Sequence, residues 1–380
     1  MKIGIVGNYG HDNNGDEAIL QGILLQLKNE YQIKSNDLLI FSNNPENTKK
    51  RYNIASVPLI KKQGSFLASV VTTLIQHINL VRKLDVLILG GGGVLMDMFK
   101  RDAPLYSSLV FIAKLFKCKI IIYGVGAGPI NTKLGRFLIK GMVHASSLTA
   151  VRDLESKQLL EEKGVRKPIH VIPDPALSLG NSASREETNE LKRIGVTAVP
   201  YYSSAYWPKS DEAVYQSYIQ AMAASLDRIV KECDVEITFF STKYPQDVQV
   251  TKDIYERMTC KDSATIVDKN LKPDELIQLA GSLDLIIGTR LHSLILAVAA
   301  GVPIVGIGYH PKVYSFLKKL NYLSGYVSLE NLEDPNEMLK RIKYNRENWM
   351  TVQSEMKRIS EQAKQETVRS SQLMQQIIQR

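Results

Sequence analysis

Short unbroken apolar runs alternate along the chain with longer stretches in which apolar residues recur at helical spacing. The short runs suit strands buried on both faces, and the longer ones suit helices that cover them. Their alternation indicates α/β units with parallel sheets. In the first half the pattern predicts strands near 2–7, 38–41, 85–90, 119–124, 148–151 and 169–172. Helices are expected near 16–30, 64–82, 104–117, 133–145 and 153–163. The run Ile172-Pro173-Asp174-Pro175-Ala176 breaks the pattern. A second block then predicts strands 194–201, 235–240, 264–268, 283–287 and 303–306, with helices 211–232, 245–258, 273–281 and 291–300. Beyond residue 345 the chain is polar, with Val352, Met356, Ile359 and Ala363 at helical spacing. The expectation is an α/β protein of two Rossmann-like domains facing a cleft, residues 1–175 and 176–345. A terminal helix over 346–380 would fold back on the body.

Ligands bind such sheets at the carboxyl ends of their strands. Gly288-Thr289-Arg290-Leu291-His292-Ser293 falls at such a place, between the run Leu283–Ile287 and the helical pattern 291–300. Arg290 offers a planar fork for carboxylate or phosphate, and His292 exchanges a proton near neutral pH. Backbone N–H groups at the helix start add positive potential. The bland alternative is a capping turn with an incidental histidine. The first strand leads into Asn8-Tyr9-Gly10-His11-Asp12-Asn13-Asn14-Gly15-Asp16-Glu17. This is the strand–loop–helix of a nucleotide-type fold without the GxGxxG spacing, so no dinucleotide is expected. Asp16 and Glu17 suit the helix dipole; Asp16 or Asn14 facing the cleft would instead bind a sugar hydroxyl or take its proton.

Gly90-Gly91-Gly92-Gly93 follows the strand at 85–90. One or two glycines would make a turn, so four favour a surface that a ligand can approach. Gly124-Val125-Gly126-Ala127-Gly128-Pro129 is a weaker signal on the same edge. Arg152 is either a second anion fork or the partner of Asp153, which is itself a helix-cap candidate. Lys312, in Gly308-Tyr309-His310-Pro311-Lys312, is unfavourable for the dipole at a helix start and easier to understand if it holds an anion. His310, before Pro311, reads as structural or as part of the rim. Tyr201, Tyr202, Tyr206 and Trp207 read as sugar-stacking or interdomain aromatics. The segment 59–83 is densely apolar and bracketed by Lys61, Lys62, Arg82 and Lys83. It reads foremost as a buried helix with snorkelling lysines, and secondarily as a segment lying on an anionic bilayer. Lys340, Arg341, Lys343 and Arg346 read as a solvated helix face.

Composition narrows the class. At 44% hydrophobic and 23% charged, the 380-residue chain is of ordinary globular composition. No signal peptide or apolar stretch of transmembrane length is visible; Lys114, Lys117 and Lys119 interrupt the candidate at 109–127. Cys118, Cys233 and Cys260 are few and far apart, which argues against a disulfide framework or a zinc site and for a reducing cytosol. The formal charge of +9 points to an anionic partner. No nucleic-acid motif is present, so none is expected as a partner. No cluster of His, Cys and Asp has ligand spacing, so no metal or other cofactor is expected.

Asn13-Asn14-Gly15-Asp16-Glu17-Ala18, the glycine run 90–93, Arg152-Asp153 and Arg290-Leu291-His292 resemble, in this order, the polysaccharide pyruvyltransferases. The likeness is strongest to the CsaB type of bacterial secondary cell wall polymer synthesis, and it covers residue 1 to the loop at 303–312. It implies a fold similar to the GT-B glycosyltransferases, with the acceptor on the 1–175 side and phosphoenolpyruvate on the 176–345 side. The implied product is a 4,6-linked pyruvate ketal on N-acetylmannosamine of an undecaprenyl-diphosphate-linked disaccharide, in a polymer that anchors S-layer proteins. Phosphoenolpyruvate would be a co-substrate held by Arg152, Arg290, Lys312 and His292. His292 would act as general acid and Asp16 as base, assisted by Arg290. Acceptor candidates are Asn8, Asn14, Asp16, Gly91 and Gly92. The protein would be cytoplasmic, at the inner face of the cell membrane, with peripheral contact to anionic lipid. Two alternatives stay open: a glycosyltransferase using a nucleotide sugar, with Asp274 or Glu275 on the ribose, and a non-enzymatic polyanion-binding protein.

Overall fold

The computed structural model describes residues 1–180, 185–207 and 209–379. These fold into two compact units. The first comprises Met1–His11, Asp16–Ser178 and the chain from Gln365 onward; the second comprises Asp12–Gly15 and Leu179–Lys364.

The first unit is built on strands β1 (Ile3–Val6), β2 (Leu38–Ser42), β3 (Ala55–Pro58), β4 (Val86–Gly90), β5 (Lys119–Val125), β6 (Leu148–Val151) and β7 (His170–Val171). All pair in parallel, in the order β3-β2-β1-β4-β5-β6-β7. Helices α1 (Asn14–Tyr31), α2 (Pro45–Tyr52), α3 (Phe66–Val81), α4 (Asp102–Leu115), α5 (Lys133–Ala145) and α6 (Leu154–Glu162) connect them. The run Val86–Gly90 is buried along its whole length, as a parallel strand covered on both faces must be.

The second unit repeats the plan with β8 (Arg193–Thr197), β9 (Glu236–Phe240), β10 (Ala264–Val267), β11 (Leu285–Gly288), β12 (Ile304–Gly308) and β13 (Tyr326–Ser328), parallel in the order β10-β9-β8-β11-β12-β13. Its helices are α7 (Glu212–Cys233), α8 (Gln246–Arg257), α9 (Pro273–Gly281), α10 (Leu291–Ala299), α11 (Pro311–Lys319) and α12 (Pro335–Glu347). Each order doubles back at its first strand, so each sheet has its switch point there: between β1 and β4, and between β8 and β11. One helix, α13 (Trp349–Ile378), ends the chain.

Several elements differ from the pattern-based reading. The strand expected over 194–201 stops at Thr197, because the Thr289 hydroxyl captures the Val199 N–H at 2.7 Å and Pro200 begins a turn. Helix α2 has only Thr48 buried, so it carries no apolar stripe; Asn44 caps it by accepting the Asn47 N–H, and Pro45 opens it. The edge strand β3 and the last strand β13 span 4 and 3 residues, too few for a visible alternation. The largest departure is α3, which is not a buried helix. Only Thr73, His77 and Val81 of it are buried, while Phe66, Leu67, Val70, Val71, Leu74, Ile75 and Ile78 are exposed.

Candidate functional site

In the first unit, the loops after β1 and β4 meet at that sheet's switch point. Asn8 Nδ2 donates to Asp16 Oδ2 at 2.9 Å, fixing a carboxylate that is 5% exposed. The other oxygen, Oδ1, lies 2.7 Å from where a Cβ on Gly92 would stand. Gly91 and Gly92 hold φ of +79° and +62°, a region closed to most other residues. The structure therefore brings Asn8, Asp16, Gly91 and Gly92 together. An added Cβ at Gly90 or Gly93 would stand 2.4 Å from Ile23 or 1.8 Å from Met96, and one at Gly91 3.1 Å from Ile19, so the run also lets these side chains close on the backbone. Glu17 is structural: its carboxylate accepts the Gly10 N–H and the Tyr52 hydroxyl, each at 2.7 Å. Burial pushes this carboxyl above its ordinary range.

Arg152, at the end of β6, lies flat along Gly126, whose Cβ position is 3.3 Å from Nη2. Its side chain is 8% exposed and pairs with Asp174 at 3.3 Å and Asp153 at 3.6 Å. Asp153 also caps α6 by accepting the Ser156 N–H at 2.7 Å. Asp174 belongs to the proline-bounded break between the two blocks of the sequence, where its pairing role was not foreseen.

In the second unit, the loops after β8, β9, β11 and β12 line one sheet edge across the switch point. Arg290 comes from the loop after β11 and Asp247 from the first turn of α8. Arg290 Nε lies 3.2 Å and 3.1 Å from the two Asp247 oxygens, and Nη2 contacts Oδ1 as well. Asp247 is 1% exposed, and these charge-assisted contacts are those of an ion pair. Burial opposes the charge on Arg290, but Asp247 outweighs it and holds the guanidinium above its ordinary value. The fork is thus occupied on one edge, a correction to its reading as an open anion clamp. The remaining Nη1 donates to the Tyr206 hydroxyl at 3.2 Å.

Tyr206 gathers cations. The Arg290 guanidinium lies 5.0 Å and Lys243 Nζ 4.6 Å from its ring centroid, and Lys243 donates to its hydroxyl at 3.3 Å. Burial would raise this phenol, but Arg290 and Lys243 outweigh it and hold it below its ordinary value. The other aromatics expected to stack on a sugar or pack between domains pack on each other within this unit. Trp207 stacks on Tyr202 at 5.2 Å, and Tyr201 meets Tyr309 edge-on at 6.1 Å.

His292 stands in the first turn of α10 with its imidazole against Gly15. A Cβ at Gly15 would sit 2.3 Å from His292 Nδ1 and 2.5 Å from Cγ. Gly15 itself is fixed by its neighbours. Asn14 N–H donates to Thr242 O at 2.9 Å, Tyr244 N–H to Asp12 O at 3.1 Å, and Asn14 Nδ2 to Asn270 Oδ1 at 3.3 Å. The loop 12–15 and the Arg-Leu-His triplet, far apart in sequence, are therefore one local assembly of the second unit. Asn14 belongs to this assembly. Behind it, Thr197 and Ser293 hydroxyls share a 2.7 Å hydrogen bond that fixes the turn.

Lys312 is exposed in the first turn of α11 and donates its N–H to the His310 ring at 3.3 Å, so His310 is the helix cap. Glu275, a ribose candidate, accepts the Lys272 N–H at 2.6 Å at the start of α9. Asp247, Lys243 and Gly15 were missed in the sequence. The first two lay at strand carboxyl ends, where the same edge rule would have found them. Gly15 had no signal apart from its place in the loop. Among the described residues, no three His, Cys, Asp or Glu side chains are grouped to hold a metal ion.

Two parallel sheets of this order define a GT-B-like α/β protein. Its architecture is similar to HepE of Anabaena in complex with UDP and glucose, at a TM-score of 0.66 and 11% identity, covering 100% of this chain and 99% of that one. It is likewise similar to UDP-GlcNAc 2-epimerase of Neisseria meningitidis bound to UDP-GlcNAc, at 0.60 and 13%, covering 100% and 99%. A glycosyltransferase of Rickettsia africae matches at 0.62 and 12%, covering 97% and 93%. Within that class the chain belongs to the polysaccharide pyruvyl transferase family, which it matches over residues 13–311, and it is a transferase. A relative along nearly the whole length is the amylovoran biosynthesis protein AmsJ of Erwinia amylovora, 23% identical, covering 95% of this chain and 96% of the relative.

Proposed function

We propose that the protein transfers pyruvate from phosphoenolpyruvate to two hydroxyls of one sugar, forming a cyclic ketal. The observation that carries this reading is the imidazole of His292 seated against Gly15, beside the Arg290–Asp247 pair, in a member of this family. The acceptor is a lipid-diphosphate-linked saccharide, with N-acetylmannosamine of an undecaprenyl-linked disaccharide as the specific candidate and the 4,6 hydroxyls as the bridged pair. The polymer it serves would anchor S-layer proteins. The lipid carrier places the reaction at the inner face of the cell membrane.

His292 protonates the methylene carbon of phosphoenolpyruvate, and the adjacent carbon becomes electron-poor. A sugar hydroxyl attacks that carbon and gives up its proton; the carbon–oxygen bond to phosphate breaks. The second hydroxyl closes the ring, and its proton leaves with the phosphate. Asp16, fixed by Asn8, is the base of the first unit. Lys312, Lys243 and the N–H groups opening α10 supply positive potential for the carboxylate and phosphate. Arg290 holds Tyr206 and the turn through Asp247 and offers only its Nη1 edge to an anion. Arg152, paired with Asp174, is the cation of the first unit.

The test is to mix protein, phosphoenolpyruvate and a diphospholipid-linked disaccharide, then record the acceptor mass. The expected gain is one pyruvate less one water, with release of inorganic phosphate. Turnover of a UDP-sugar without consumption of phosphoenolpyruvate would overturn the proposal.

A further inference from the structure

Helix α3 is inside out for a surface helix, which ordinarily turns its apolar stripe to the core. Its hydrogen-bonding side chains face inward. Thr73 Oγ1 accepts the Lys61 N–H at 3.0 Å, His77 Nε2 contacts Leu59 O at 3.1 Å, and Gln76 donates to Pro58 O at 2.6 Å. Its apolar side chains face outward, with Phe66 80% and Leu67 73% exposed. The neighbouring helices continue the face. α3 packs on α4 and α4 on α5, and Leu115 at the end of α4 and Phe137 on α5 are 75% and 71% exposed. Of the 22 exposed large apolar side chains among the described residues, 14 lie between positions 66 and 137. The remaining 8 are scattered through the chain, as on any soluble surface.

Charge concentrates in the same segment. Residues 54–151 hold 12 Lys and Arg against 3 Asp and Glu, which equals the whole formal excess of +9; the rest of the chain is balanced. Lys61 and Lys62 precede α3, Arg82 and Lys83 follow it, Lys114 and Lys117 end α4, and Lys133 opens α5; all are exposed. A broad apolar face rimmed by cations fits a surface that is apolar within and anionic at its rim. A second copy of the chain does not fit, because an isologous contact would oppose two positive rims.

We propose that the outer face of α3, α4 and α5 docks on an anionic lipid bilayer, with Phe66, Leu67, Leu115 and Phe137 entering the headgroup boundary. The surface follows from burial and charge alone; only its purpose rests on the lipid-linked acceptor of the proposed reaction. No described helix is long and apolar enough to cross a membrane, so the contact is peripheral.

Vesicle sedimentation of the full chain tests this, with phosphatidylglycerol–phosphatidylcholine vesicles against phosphatidylcholine alone. The unaltered protein should bind the anionic vesicles at low salt and be released as salt rises. Each Lys or Arg near the surface contributes about fivefold in affinity. Lys61→Glu, Lys62→Glu and Lys83→Glu combined should therefore weaken binding ~100-fold or more. Phe66→Ser with Leu67→Ser should weaken binding to the anionic vesicles at low salt as well, with the thermal midpoint unchanged. Transfer to a water-soluble acceptor should be unaltered in both variants, which separates this surface from the chemistry. No binding by the unaltered protein at low salt overturns the proposal. So does equal binding by both variants, or a dimer by light scattering that the Phe66 and Leu67 changes abolish.

Discussion

Gly15 and His292 illustrate how a residue acts through the space it leaves. Gly15→Ala puts a methyl group 2.3 Å from His292 Nδ1, so the ring must turn away. His292→Ala should lower turnover by ~10²–10⁴-fold, the range of a general acid, with phosphoenolpyruvate binding retained. A near-normal rate at saturating substrate would remove His292 from that role. Gly15→Ala should also lower kcat while leaving the protein folded. In the His292→Ala background it should cost nothing more, because its effect passes through the imidazole. Additive losses in that double variant would show that Gly15 matters for another reason. Arg290→Lys and Asp247→Asn address the buried pair. Lysine keeps the charge but not the fork and should cost less than asparagine, which leaves a buried guanidinium without its countercharge at a cost of about 3–5 kcal/mol. Urea unfolding should register a loss in both. An unchanged midpoint would mean that water already shares the pair.

At the scale of the element, α3 is anchored by polar side chains, and one of them titrates. Burial lowers the His77 pKa from 6.5 to about 4, against the raising effect of its contact with Leu59. The unfolded chain therefore takes up a proton at pH values where the folded chain still refuses it. Stability from this group is fully present above pH 6.5 and is lost as pH falls toward 4. The loss should approach ~3 kcal/mol at the lower end. Denaturant titrations of the unaltered protein and of His77→Gln across that window should converge at low pH. A parallel pair of curves would exclude His77 as the source. Helix α13 is the other telling element. Its first half is tied to the second unit through Trp349 Nε1 donating to Thr188 O at 2.9 Å and Ser360 Oγ donating to Ala299 O at 3.2 Å. Its last turns belong to the first unit, where Tyr31 donates to Ser371 O and Met374 is fully buried. Ending the chain at Lys364 removes buried Met374 and Ile378 and should lower stability by ~3–6 kcal/mol. An unchanged thermal midpoint would show that these turns are not needed.

For the whole molecule, the alternation of apolar runs and helical stretches determined two parallel α/β blocks, because parallel strands covered on both faces have no polar positions to hide them in the sequence. The same logic placed Asp16, Arg290 and His292 at strand carboxyl ends, since chain order along a parallel sheet dictates that edge. Three things were settled only in three dimensions. The partner of Arg290 lies 43 residues away, on a helix whose first turn gives no local sign of it. Gly15 and His292 are joined by the path of a loop, not by any spacing, so their contact depends on the chain crossing from one unit to the other. The outward face of α3 was hidden because periodicity reports that a stripe exists without reporting which way it points. An apolar helix with a few polar residues reads as buried in sequence. Only tertiary packing, which takes Thr73, His77 and Val81 as the inner seam, turned its leucines and isoleucines to the surface.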